Sequence, residues 1–72
     1  MQIEFKESNN LSDIDGHVMV YRNSAIITVR KSLTPAQKEE GKTTMQRYIT
    51  DAGVTSGVYL WNVGDREPWK EN

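Results

Sequence analysis

Cysteine is absent from this chain, histidine occurs once, and proline only twice. Without cysteine there is no disulfide framework, so a 72-residue chain lacks the covalent staple on which many small secreted domains depend. His17 has no second histidine and no thiolate to join it, and the usual zinc ligand sets cannot be assembled. No metal and no cofactor are expected. Long apolar runs are missing too: nothing approaches the ~20 residues that cross a bilayer, and Met1 to Lys6 lacks a basic region followed by an apolar stretch. These absences predict a soluble, cytoplasmic protein with no membrane partner.

An excess of one charge sign is also lacking, and the net charge of -1 excludes a globally basic nucleic-acid binder. The charges are nevertheless unevenly placed. Acidic residues prevail from Met1 to Gly16 and again from Asp51 onward, whereas the middle carries Arg22, Arg30, Lys31, Lys38, Lys42 and Arg47 against Glu39 and Glu40. Those six cations are possible electrostatic contacts for a charged partner, although a solvated face has the same composition. Candidate catalytic groups are few. Glu39 and Glu40 fall on an exposed helical turn, and Asp13 and Asp15 in a loop without the further spaced ligands of a calcium site. Gly53, Gly57 and Gly64 are dispersed and form no phosphate-binding loop. The expectation is a protein that is not an enzyme.

What is present reads as a small α+β domain. Gln2 to Lys6 alternates with Ile3 and Phe5 on one side, the period of a half-buried strand. Ser8 to Gly16 collects turn-forming residues and reads as a loop, with Leu11 and Ile14 able to pin it to the core. His17 to Tyr21 and Ala25 to Arg30 are β-branched runs joined by Arg22-Asn23-Ser24, which predicts a hairpin. A turn about Asn23-Ser24, with asparagine at positive φ, would set Tyr21 opposite Ile26 and Val20 opposite Ile27. Thr34-Pro35-Ala36-Gln37 is a capping box with proline at the first helical position, so a helix begins at Pro35. Met45, Tyr48, Ile49 and Ala52 give it one apolar face, Gly53 ends it, and Gly41 inside it costs about 1 kcal/mol relative to alanine. Val54 to Val63 supplies a last strand. The order β-β-β-α-β predicts a mostly antiparallel sheet of three to four strands with one helix on one face. Residues 1–64 form the domain and 65–72 a flexible tail.

Strand alternation then produces two apolar sheet faces for one helix. Val18, Val20, Ala25, Ile27 and Val29 suit the core beneath the helix. Met19, Tyr21 and Ile26 fall on the other side, and in the last strand Tyr59 and Trp61 are assigned there with them, leaving Val58 and Leu60 inward. Met19, Tyr21, Ile26, Tyr59 and Trp61 are therefore the candidate protein-binding residues. The competing possibility is that the first strand, the Leu11–Ile14 loop or Trp69 covers this second face.

Ala25-Ile26-Ile27-Thr28-Val29, followed by Ser32-Leu33-Thr34-Pro35-Ala36-Gln37, resembles the strand and helix start that precede the active-site helix of phage-associated neutral zinc peptidases. Where those enzymes carry H-E-x-x-H, this chain reads Lys42-Thr43-Thr44-Met45-Gln46, so no ligand or general base carries over and no family is assigned. The expected function is that of a small, phage-like regulator or inhibitor docking on a larger protein complex, with transcription machinery as a target by analogy. The alternative is a nucleic-acid-binding module in which Tyr21, Tyr59 and Trp61 stack on bases and the basic 22–47 segment meets phosphates. A homodimer through the second apolar face is a third possibility.

Overall fold

The computed structural model describes residues 1–51 and 53–71. Ala52, assigned above to the apolar helix face, and Asn72 of the tail lie outside the described residues. The chain forms β1 (Gln2–Ser8), β2 (Gly16–Val20), β3 (Ser24–Arg30), α1 (Pro35–Asp51), β4 (Gly57–Trp61) and β5 (Trp69–Lys70). All strands join one sheet in the order β1-β3-β2-β4-β5. The α+β arrangement with one helix on a mostly antiparallel sheet is as expected, with two differences at the margins. The sheet has five strands, and β1 runs parallel to β3.

The β2–β3 hairpin pairs Val20 with Ala25, Met19 with Ile26, Val18 with Ile27 and His17 with Thr28. The turn is thus centred on Arg22-Asn23, with Tyr21 N donating to Ser24 O at 2.8 Å. Asn23 does not take a positive φ; among the described residues Asp13 is the non-glycine residue that does. The pairing departs by two residues from the expected register. Because side chains alternate with period two, this even slip leaves every residue on its expected face. β3 and β4 are each antiparallel to β2 and hence parallel to one another, so the β3–α1–β4 connection crosses over the strand lying between them.

Thr34 and Gln37 close the capping box reciprocally: Gln37 N donates to Thr34 Oγ1 at 3.2 Å and Thr34 N to Gln37 Oε1 at 3.0 Å. Two orphan donors at the helix start are satisfied this way. Gly53, just past the helix, has a φ of 59°, the left-handed value expected at that position. Gly41, Met45 and Ile49 are the buried helical residues, spaced by four along one face. They meet Val18, Val20, Ala25, Ile27, Val29, Tyr59 and Trp61 to form the core.

Tyr59 and Trp61 require a correction. The β2–β4 register sets Tyr59 beside Val18 and Trp61 beside Gly16, on the helix side of the sheet. Trp61 is fully buried and Tyr59 is 4 % exposed, so neither belongs to a binding surface of the monomer. Two glycines make room for the indole. A Cβ on Gly41 would stand 2.7 Å from Trp61 Cζ3, and one on Gly16 would stand 3.3 Å from Trp61 Cε3 and 2.9 Å from Thr28 O. The helix therefore crosses close above the ring at a residue with no side chain. Trp61 Nε1 donates to Asp65 O at 3.2 Å and Tyr59 Oη to Thr55 O at 2.8 Å, so both buried polar ends are paired.

The stretch expected to be a flexible tail is tied to the sheet. Asp65 Oδ2 accepts from Asn62 N at 2.9 Å, turning the chain; Pro68 is buried, and Trp69 and Lys70 pair with Leu60 and Tyr59. Side-chain capping of this turn by Asp65 was the local signal for that reversal.

Candidate functional site

On the sheet face opposite α1, cross-strand neighbours align in two rows. Glu4, Ile26, Met19 and Val58 make the first, and Lys6, Thr28, His17, Leu60 and Trp69 the second. Tyr21 continues the alternation of β2, and its hydroxyl donates to Met19 Sδ at 3.3 Å. Tyr21 and Trp69 are 47 % and 42 % exposed, while Met19, Ile26, Val58 and Leu60 between them are half-buried. The face is thus apolar along the first row beyond Glu4, interrupted in the second by buried Thr28 and half-buried His17, and polar at Glu4 and Lys6, which pair with each other at 3.4 Å.

One end of this face is built up by the loop that leads into β2. Arg30 Nη2 donates to the carbonyls of Leu11, at 2.9 Å, and Ile14, and Arg30 Nε faces Asp15 Oδ1 at 3.6 Å. Asp15 binds onward, its Oδ2 accepting from Val63 N at 2.9 Å and its own N–H donating to Asn62 Oδ1 at 3.0 Å. This network brings Leu11 and Ile14 to the rim of a shallow depression of about 390 Å³ whose floor includes His17, Met19, Val58 and Leu60. The expected covering of the second face by the Leu11–Ile14 loop and by Trp69 is therefore partial. The loop walls one end, Trp69 borders one side, and the strip between them stays open.

His17 Nδ1 is buried and has no hydrogen-bond partner among the described residues. Desolvation by burial pushes the imidazole pKa below its ordinary 6.5, and the nearby Glu71 carboxylate opposes this only in part. At neutral pH the ring is uncharged and serves as a flat, weakly polar wall of the depression.

Of the five candidate binding residues, Met19, Tyr21 and Ile26 come together on this face, and Tyr59 and Trp61 lie on the opposite one. Their places are taken by Val58 and Leu60, with Trp69 and His17 beside them. The alternation of β4 marks both pairs as facing opposite ways but does not say which faces inward, since both are apolar. The six cations do not converge. Arg30 is engaged by the loop, Lys38 Nζ donates to Glu7 Oε1 at 3.0 Å, and Lys42 Nζ stands 5.9 Å from the Phe5 ring centroid. Arg22 is exposed at the hairpin turn and Lys31 beyond β3. Arg47 borders a separate hollow of about 200 Å³ shared with Arg66, Asp51 and Glu67, where opposite charges balance. Losing Tyr59 and Trp61 to the core also leaves Tyr21 alone of the three proposed base-stacking residues on the surface.

The fold and the open face together define a small α+β sheet protein with one shielded and one unshielded side. Comparison with protein-family models finds no match to this chain, and neither does comparison with curated proteins or with solved structures. No described helix is long and apolar enough to cross a membrane.

Proposed function

We propose that the protein is a non-enzymatic docking module that attaches to a larger protein or complex through the open sheet face and regulates or inhibits what it binds. The observation that carries this reading is the contiguity of Tyr21, Met19, Ile26, Val58, Leu60 and Trp69 on a face crossed by no described helix. Scattered apolar residues on a surface are ordinary, but a continuous strip rich in aromatics and methionine has the composition of an interface centre. Charged residues at its margin supply the polar rim such interfaces have. A phage-like regulator acting on transcription machinery fits this chemistry as one member of the class.

Ile26→Glu tests the proposal, because it places a charge at the β3 end of the strip, directly beside Met19, on a side chain that is only half-buried. Affinity capture from cell lysate followed by mass spectrometry is expected to recover a specific protein with the parent chain and to lose it with Ile26→Glu, while the thermal midpoint stays within a few degrees. Equal capture by both chains would overturn the assignment of the face. Saturable, salt-sensitive binding of oligonucleotides by the parent chain would favour the nucleic-acid reading instead.

A further inference from the structure

β1 is an outer strand of the sheet, and no described strand pairs with its second edge. Which of its backbone groups are free follows from the parallel pairing with β3. Gln2 N donates inward to Asn23 O and Ser8 O accepts inward from Lys31 N, so the even-numbered residues spend their peptide groups on β3. In a parallel ladder alternate residues point the opposite way. The N–H and C=O groups of Ile3, Phe5 and Glu7 are therefore directed outward, beside a Phe5 side chain that is 44 % exposed.

We propose that this edge pairs with the same edge of a second copy of the chain, antiparallel about a two-fold axis at Phe5, to form one continuous sheet across a homodimer. The outward groups require odd residues to bond odd residues, which leaves three compact registers. Centring the axis on Glu4 sets two glutamates against each other, and centring it on Lys6 sets two lysines together. Centring it on Phe5 sets Glu4 against Lys6 of the partner subunit and Lys6 against Glu4 of the partner subunit, both as directly opposed neighbours on the open side of the sheet. Like charges in such positions repel and opposite charges attract, so charge selects the central register. In that register Phe5 bonds Phe5 of the partner subunit, and Ile3 bonds Glu7 of the partner subunit, in the close hydrogen-bonded pairs of an antiparallel ladder. The exposed Glu4–Lys6 ion pairs within the strands, one in each subunit at 3.4 Å, are exchanged for two between strands. Both subunits keep their helices on the same side, and the contact is isologous and closed. Charged edge strands usually resist pairing, but here the charges favour one of the three compact registers and repel the other two.

Charge reversal separates this arrangement from other dimers. Sedimentation velocity over a range of concentrations is expected to show a monomer–dimer equilibrium for the parent chain. Glu4→Lys alone and Lys6→Glu alone each put like charges opposite one another and are expected to weaken self-association at least tenfold. An equimolar mixture of the two variants restores both opposite-charge pairs and is expected to recover dimer. Phe5→Pro removes an outward N–H without touching the bonds to β3, and is expected to leave a folded monomer by circular dichroism. A parent chain that stays monomeric to millimolar concentration would overturn the proposal, as would a dimer indifferent to the single reversals.

Discussion

Replacing Gly41 with alanine sets two effects of known size against each other. Helix propensity favours alanine by about 1 kcal/mol at an interior position. Opposing it, the added Cβ would meet Trp61 Cζ3 at 2.7 Å and Cη2 at 3.0 Å. Carbon atoms settle at roughly 3.5–4.0 Å, so the helix or the indole would have to give by about 0.8 Å. The ring is also held close to β2, where a Cβ on Gly16 would stand 3.3 Å from Trp61 Cε3, so it has little room to shift. Overpacking of a filled core costs about 1–3 kcal/mol, and with little slack around the indole the upper half of that range applies. The net expectation is a loss of about 1–2 kcal/mol, or a fall of several degrees in thermal midpoint at about 4–8 °C per kcal/mol. Urea unfolding followed by tryptophan fluorescence and circular dichroism measures it. In a Trp61→Phe background the outer ring is gone, and the same glycine-to-alanine change should become stabilising through propensity, a coupling of about 2–3 kcal/mol. A parent chain made more stable by Gly41→Ala would refute the close crossing of helix and indole.

Two further expectations concern the loop and the open face. Asp15→Ala removes the acceptor for Val63 N and the anion facing Arg30, and should cost about 1–3 kcal/mol by urea titration; an unchanged midpoint would show that the loop contributes nothing to holding β3 and β4 together. For His17 the folded pKa lies below the unfolded 6.5, so between those two values the unfolded chain takes up a proton that the folded chain refuses. Stability is complete above pH 6.5 and declines as the pH falls from there to the lower folded value. His17→Val should flatten that decline in urea midpoints measured from pH 7.5 to about 5, and an identical slope in the variant would assign it to another group.

Local chemistry made much of this fold readable, and tertiary context decided the rest. The helix start at Thr34-Pro35 and its stop at Gly53 depend on a few neighbouring residues, and both occur where those residues place them. The hairpin faces survived a mistaken turn because the slip was even. The side of the sheet taken by Tyr59 and Trp61 depends instead on pairing with β2, forty residues or so earlier, about which the alternation within β4 is silent. Gly41 held the missing clue. A glycine in the middle of a helix with good caps suggests that something large passes close by, and the bulky candidates were the tryptophans. The parallel seat of β1 had no comparable signal, since an alternating strand of seven residues suits either direction.

The central place of β2 has a consequence for the order in which the chain is made. β2 bonds β3 on one side and β4 on the other, yet β4 is synthesised only after all of α1. At about 5–20 residues per second, a ribosome takes roughly 1.5–6 s to travel from the end of β3, where the hairpin is complete, to the end of β4. For that interval a finished hairpin waits with one apolar flank bare, ready to associate with any other unfinished chain. That flank is covered only when β4 docks on β2 and brings Trp61 beside Gly16 and under Gly41.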